Sequence, residues 1–168
     1  MPEDHQEPFV GADFVPPSGL RTHDFVLEPL GPQHNDADYA AWTSSIRHIR
    51  STSGFTGAAW PDENLSLAQN LSDLIRHADD FSARKGFTYT VLEPLTSKVI
   101  GCVYIYPSAD PRYDARVRSW VSVQHAALDQ QLRRGVAAWL ARDWPFRSID
   151  YFGQPAGSST GVERCDDC

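Results

Sequence analysis

The sequence is poor in cysteine and has no long apolar run. Only 3 of its 168 residues are cysteines, and the closely spaced pair, Cys165 and Cys168, has no second pair or histidine nearby with which to close a zinc site. These observations exclude a small disulfide-stapled scaffold. No segment approaches the roughly 20 consecutive apolar residues of a membrane helix, and the first residues are acidic and proline-bearing. We expect a cytoplasmic protein without a membrane partner.

Basic residues are also scarce, and the common catalytic motifs are missing. The 15 lysines and arginines are outnumbered by 22 acidic residues, which gives a formal net charge of -7. This balance argues against a nucleic-acid partner, because such binding relies on neutralising phosphates. The sequence contains no G-x-S-x-G, G-x-x-x-x-G-K-S/T, H-E-x-x-H or G-x-G-x-x-G motif, and its six histidines show no ligand spacing. No metal site is predicted.

What the sequence does contain is enough apolar material for one ordinary domain. Hydrophobic residues make up 41% of the chain and aromatic residues 11%, which is typical of a globular protein. Proline and glycine are frequent in residues 1–23 and predict an extended N-terminal arm without regular structure. Residues 153–168 are polar and predict a disordered C-terminal tail. The folded domain is therefore expected to span residues 24–152.

Hydrophobic periodicity predicts an alternation of strands and helices within the domain. A period of two indicates strands and a period of three to four indicates helices. Ser66 and Gln69 have the spacing of a capping box at the start of the second helix. The predicted order is strand 24–30, helix 36–51, loop 54–63, a helix from Ser66 that ends before Gly86, strands 87–93, 99–106 and 115–123, helix 126–143 and strand 147–152.

This order and two short segments resemble one superfamily. The segment Lys98–Ile105 (KVIGCVYI) looks like the third strand of the GCN5-related N-acetyltransferases, the GNAT superfamily, and Trp120–Val123 (WVSV) looks like the strand that borders acetyl-CoA. The resemblance covers residues 24–152. It implies an α/β (α+β) fold with a mixed, mainly antiparallel sheet flanked by helices, in the order β-α-α-β-β-β-α-β.

The resemblance also implies acetyl-CoA as cofactor. Residues assigned to it by this likeness are Trp120, Val121, Ser122 and Val123. In the superfamily a glycine-rich loop at the start of the next helix holds the pyrophosphate through backbone N–H groups. The corresponding residues 124–132 contain no glycine, which puts acetyl-CoA binding by a standard loop in doubt. Arg133 and Arg134 follow directly and are the candidates for phosphate contact.

Aromatic residues on strands and loops are the candidates for substrate binding: Trp60, Tyr89 and Tyr104. For the two tyrosines, packing in the core is the favoured interpretation of the same pattern. No catalytic residue can be assigned, because the tyrosine that often acts as general acid in the superfamily has no counterpart in this chain. Glu93, Asp62 and Glu63 are candidates for the general base by residue type alone.

Two hypotheses about function follow. The first is an N-acetyltransferase that moves an acetyl group from acetyl-CoA to a small-molecule amine. The alternative is a non-catalytic ligand-binding or interaction module that keeps the fold without the pyrophosphate loop. In either case the last strand, Arg147–Phe152, would have a free edge. A free edge predicts pairing with the N-terminal arm or with another chain, so that a homodimer is a further hypothesis.

Overall fold

In the described part of the chain, six strands form one sheet in the order in which they occur along the sequence. The computed structural model describes residues 7–152; the predicted tail 153–168, with Cys165 and Cys168, lies outside the described residues. Neighbouring strands are antiparallel except for the last pair, which is parallel. The strands are β1 (Leu20–Arg21), β2 (Val26–Pro29), β3 (Phe87–Leu92), β4 (Val99–Pro107), β5 (Ala115–Val121) and β6 (Ile149–Tyr151).

Helices cover both faces of this sheet. On one face lie α1 (Asn35–Thr43), α2 (Ile46–Arg50) and α3 (Leu67–Ser82), and on the other lies α4 (Asp129–Asp143). The predicted capping box of α3 is present: Ser66 Oγ accepts from the Gln69 backbone N–H at 3.1 Å, and Gln69 Oε1 accepts from the Ser66 N–H at 2.8 Å. None of the described helices is long and apolar enough to cross a bilayer.

Each face of the sheet has its own apolar core. On the α4 side the strands contribute side chains such as Tyr89, Val103 and Val117, all fully buried. On the side of α1 to α3 the core includes Trp42 and Trp120, also fully buried. The alternation of side chains along each strand divides the apolar residues between these two cores. The predicted α+β fold with a mainly antiparallel sheet is confirmed.

The N-terminal arm packs on the α4 side of the sheet. Phe9 stacks on Phe87 and Phe146 at ring distances of 5.9 and 5.1 Å. The Tyr89 hydroxyl donates to the Pro17 carbonyl at 2.7 Å. The arm then ends in β1, a two-residue strand that pairs with β2 and that the sequence did not predict. The described part of the arm therefore covers the edge of the sheet opposite to β6.

The predicted helix 36–51 is divided in two. The break falls at Ser44 and Ser45, between α1 and α2. Ser45 is buried, and its Oγ accepts a hydrogen bond from the Val123 backbone N–H at 2.9 Å. Ser45 therefore contacts the segment after β5, and the helix is interrupted at this residue. The predicted helix 126–143 also begins differently, with a 3-10 helix over Val123–Leu128 before α4.

Glycine is required at position 101, where β4 passes close to β5. A Cβ added there would lie 2.3 Å from the Trp120 carbonyl oxygen, a backbone atom that cannot turn aside. We expect Gly101→Ala to lower the free energy of unfolding by about 1–3 kcal/mol, measured by urea denaturation. Gly11→Ala is the matched control, because a Cβ at Gly11 has nothing within 4 Å. Equal urea midpoints for the two variants would contradict the prediction.

Candidate functional site

The described pairing of the parallel strands β5 and β6 ends at Val117. Val117 pairs with Tyr151, and its carbonyl accepts from the Phe152 N–H at 3.1 Å. Further along β5, Ser119 and Val121 direct their backbone groups away from β4, because the Ser122 N–H donates to Ile100 of β4 and hydrogen-bonding direction alternates along a strand. No strand within residues 7–152 pairs with this stretch. We call the place where the described pairing of β5 with β6 ends the fork.

The four residues predicted to border acetyl-CoA, Trp120 to Val123, differ in whether their backbone groups are already hydrogen-bonded within the protein. Within residues 7–152 the outer backbone edge of Val121 has no strand partner, although Val121 itself is fully buried, whereas Trp120 pairs with Cys102 of β4 and the Ser122 N–H donates to Ile100. The Val123 N–H donates to Ser45 Oγ. Ser119, which the sequence analysis did not select, has the same unpaired outer edge and is also fully buried. An extended ligand with amide groups would therefore have to displace the groups that cover these two positions before it could pair with β5.

The segment after β5 differs from a glycine-rich phosphate loop. It is a 3-10 helix that turns into α4 at Asp129. Arg133 is buried on the α4 side of the fork, where it pairs with Asp129 Oδ2 at 2.9 Å and donates to the Phe152 carbonyl. Arg134 is exposed. Of the two predicted phosphate ligands, Arg134 is accessible and Arg133 is engaged within the protein.

A cavity of about 320 Å³ lies between the sheet and helices α1 and α3. Two of the three predicted substrate residues, Trp60 and Tyr104, line it. Tyr89 does not, because it faces the other core and donates its hydroxyl proton to Pro17. The remaining lining residues are Leu30, Asp38, Asn70, Asp73, Leu74, Arg76, His77, Tyr106 and Arg118.

Asp38 is the buried carboxylate of this cavity. It is 5% exposed and accepts a hydrogen bond from Asn70 Nδ2 at 3.1 Å. The same amide group of Asn70 donates to Asn35, and its Oδ1 accepts from Trp42 Nε1 at 3.0 Å. Burial raises the pKa of Asp38 to about 6, although the bond from Asn70 acts in the opposite direction. A carboxylate with this pKa is suited to exchange protons near neutral pH.

His77 is held by a chain of hydrogen bonds from α3 to β4. The Tyr106 hydroxyl donates to Asp80 Oδ2 at 2.9 Å and lies 2.7 Å from His77 Nδ1. Because the hydroxyl has one proton and gives it to Asp80, Nδ1 is the donor to Tyr106 and Nε2 carries the lone pair. Burial, aided by Arg76, lowers the pKa of His77 to about 4. The imidazole is therefore neutral at physiological pH.

Arg118 lies between the cavity and a second, outer groove. Arg118 lines both spaces, and the groove is otherwise lined by Ser53, Gly54, Thr56, Gly57, Ala58, Arg116 and Phe152. Its guanidinium carbon is 5.0 Å from the Phe55 ring centre and 5.4 Å from that of Tyr104. Burial lowers the pKa of this guanidinium. Arg118 therefore forms part of the wall of both spaces.

The carboxylates selected by residue type lie elsewhere. Glu93 accepts from Thr96 at the end of β3, Asp62 caps the Asn64 N–H, and Glu63 is exposed. None of the three lines the cavity. Asp38 and His77 were missed because each is a single polar residue within an amphipathic helix pattern, with no motif around it. Within residues 7–152, no group of acidic, histidine or cysteine side chains is arranged to hold a metal ion.

Comparison with solved structures identifies the fold. A protein from Bordetella pertussis assigned to the GnaT family of acetyltransferases superposes with a TM-score of 0.54 at 19% identity, covering 74% of this chain and 71% of that one. Microcin C7 self-immunity acetyltransferase MccE, in complex with acetyl-CoA and AMP, gives 0.55 at 15% identity, covering 74% and 67%. Ribosomal-protein-S5-alanine acetyltransferase from Vibrio fischeri gives 0.56 at 12% identity, covering 73% and 66%.

These likenesses define an α+β protein with the fold of the GNAT superfamily. The fold implied by the resemblance in the sequence is thereby confirmed. No protein-family model and no curated protein matches the chain. Because one fold hosts many functions, the activity has to be argued from the site.

Proposed function

We propose that the protein transfers the acetyl group of acetyl-CoA to a small amine held in the cavity. The observation that carries this proposal is the backbone edge of β5 at the buried residues Ser119 and Val121, which has no strand partner within residues 7–152. The neighbouring Arg118 lines a cavity that contains the buried carboxylate Asp38. The GNAT fold supports it, since the structural neighbours are acetyltransferases. The unpaired edge fits the amide groups of the pantetheine arm, as strand-like addition requires.

Five residues of the chain have roles in the proposed reaction. Ser119 and Val121 hold the donor in an extended form along β5. The bound acetyl-CoA supplies an activated thioester, whose acetyl group passes to the amine nitrogen while the sulfur leaves as the thiol. Asp38 accepts the proton that the ammonium must lose before its nitrogen can attack. Trp60 and Tyr104 form aromatic walls around the amine and can stabilise its cationic form.

Calorimetric titration with acetyl-CoA and with desulfo-CoA is the first test. Both ligands should bind with micromolar affinity, because the phosphates and the pantetheine arm, and not the sulfur, provide most of the contacts. The absence of heat with either ligand at millimolar concentration would contradict acetyl transfer. Binding would justify a search for the acceptor with radiolabelled acetyl-CoA.

Arg134 provides a sharper prediction about the phosphates. Arg134→Ala should weaken acetyl-CoA binding roughly tenfold, because a charge-assisted contact to phosphate is lost. Arg142→Ala is the matched control, an exposed arginine at the other end of α4 that pairs with Asp143. Arg133 is unsuitable for this test because its buried pair with Asp129 is part of the fold. Equal affinities of the two variants would refute a role of Arg134.

A second candidate function is supported by the segment after β5. Residues 124–132 contain no glycine, and Asp129 and Arg133 occupy the α4 side of the fork. Asp129 would repel a phosphate, and its buried Oδ1 has no hydrogen-bond partner among residues 7–152. A ligand-binding module that does not use acetyl-CoA accounts for these features. The calorimetric titration separates the two candidates.

The outer edge of β6 is the proposed site of dimer formation. The arm pairs through β1 with β2, at the far edge of the sheet from β6. The outer edge of Ile149–Tyr151 has no partner strand within the described residues, which leaves the homodimer as the proposed pairing. Sedimentation velocity over a hundredfold range of concentration should show a monomer–dimer equilibrium; a monomer throughout would contradict it. Cytoplasmic location stays a prediction from the composition.

A further inference from the structure

The cavity carries two opposite charges that do not neutralise each other. Apart from its two tyrosines, five of its lining residues can ionise: Asp38, Asp73, Arg76, His77 and Arg118. Arg76 lies 3.7 Å from Asp73 and 3.8 Å from Asp80, so its charge is balanced on the surface of α3. His77 is neutral. One anion, Asp38, and one cation, Arg118, remain.

Arg118 has aromatic neighbours but no anionic partner. No hydrogen bond or ion pair within residues 7–152 uses its guanidinium, which rests on the rings of Phe55 and Tyr104. Asp110, Arg112 and Arg142, by contrast, form ordinary surface pairs. A partly buried guanidinium without a carboxylate retains five donors for a planar anion. A carboxylate entering the cavity would satisfy them.

Asp38, Tyr104 and Arg118 line the same cavity. Burial, and to a smaller extent Asp38, raise the pKa of the Tyr104 hydroxyl, and the Arg118 guanidinium carbon lies 5.4 Å from the centre of the Tyr104 ring. The Tyr104 hydroxyl accepts from Trp120 Nε1 at 3.1 Å, which holds the ring in place. Within residues 7–152 no ion pair joins Asp38 to Arg118, and Tyr104 and Trp60 add aromatic surface to the cavity that both charges line.

We propose that the occupant of this cavity is a small amino acid, whose carboxylate binds Arg118 while its ammonium group faces Asp38. The volume of about 320 Å³ admits a molecule of this size. The apolar walls of Leu30 and Leu74 receive its side chain or methylene groups. The proposal rests on the proposed function in one respect: the ammonium beside Asp38 is the acetyl acceptor.

Calorimetry without acetyl-CoA tests the binding site directly. The panel consists of the standard α-amino acids, β-alanine, 4-aminobutyrate and 5-aminopentanoate. Each is compared with its amide, which lacks the carboxylate, and with its N-acetyl derivative, which lacks the ammonium. At least one free amino acid should bind at about 1 mM or below, and both of its derivatives should bind at least tenfold more weakly. Amides that bind as tightly as the acids, or no binding by any member, would overturn the proposal.

Variants of Arg118 connect this affinity to the guanidinium. Arg118→Gln should weaken binding of the amino acid roughly 10- to 100-fold and leave its amide unchanged, and Arg118→Lys should restore part of the loss. Arg116→Gln is the matched control, because Arg116 stacks on Phe152 in the outer groove and does not line the cavity. Equal losses for the acid and its amide in Arg118→Gln, with an unchanged urea midpoint, would overturn the proposal, since they would show that the guanidinium does not recognise the carboxylate.

An acetylation assay distinguishes this proposal from the proposed function. Amino-acid binding without any transfer from acetyl-CoA would support the cavity assignment and refute acetyl transfer. Transfer to simple alkylamines at the same rate as to amino acids, with Arg118→Gln fully active, would support acetyl transfer and overturn the amino-acid assignment.

Discussion

Asp38→Asn should make the protein more stable at pH 8 and almost inactive as an acetyltransferase. The side chain is 5% exposed, and its raised pKa of about 6 means that ionisation above that pH opposes folding. Asparagine keeps the shape and the oxygen that accepts from Asn70. We expect the free energy of unfolding at pH 8 to rise by about 1–3 kcal/mol, and the rate of transfer to fall roughly 100- to 10,000-fold because the base is lost.

Glu63→Gln is the matched control for this prediction. Glu63 is an exposed carboxylate of the loop before α3, outside the cavity. Its replacement should change the free energy of unfolding by less than about 0.5 kcal/mol and leave the rate unaltered. Full activity of Asp38→Asn would refute Asp38 as the base, and a clear loss of stability at pH 8 would refute the unfavourable burial of its charge.

The stability of the wild-type protein should show opposing contributions from Asp38 and His77 between pH 4 and 6.5. The folded pKa of Asp38 is raised from 3.8 to about 6, so its contribution to the free energy of unfolding falls as the pH rises through this range. The folded pKa of His77 is lowered from 6.5 to about 4. The unfolded chain then binds the extra proton, and the contribution of His77 rises with pH. Each contribution amounts to about 2–3 kcal/mol.

Single replacements should expose each contribution in urea denaturation at several pH values. Relative to wild type, Asp38→Asn should gain about 2–3 kcal/mol between pH 4 and 6.5, and His77→Gln should lose about the same amount. The double variant should follow the wild type. Other titrating groups are common to all four proteins and cancel in the differences. Parallel profiles for the single variants and wild type would contradict both pKa shifts.

The sequence predicted those parts of the fold that depend on local patterns. The capping box at Ser66 and the apolar spacing behind it specify α3, and the period of two from Phe87 onward specifies the meander. The division of the first helix was not predictable in this way. It depends on the contact of Ser45 with Val123, 78 residues away along the chain.

The candidate site was predicted only in part, because it depends on how elements from distant parts of the chain are placed. Alternation along each strand divides tyrosines between two faces, but it does not tell which face meets α1 and α3. The register between β3 and β4 places Tyr104 opposite Thr88 and Tyr89 opposite Val103, on different faces. Asp38 meets Asn70 across 32 residues of sequence. Such contacts leave no signal in a single sequence.

The grouping of indoles around Trp60 gives the cavity its own optical reporter. Trp60 lies 5.5 Å from Trp42 and 6.0 Å from Trp120, and it lines the cavity while the other two rings are fully buried. Rings at these separations couple electronically, and their joint circular dichroism depends on their mutual angle. A molecule that enters the cavity and displaces Trp60 will change that signal and the fluorescence of the group. Occupancy can therefore be followed in the unlabelled protein.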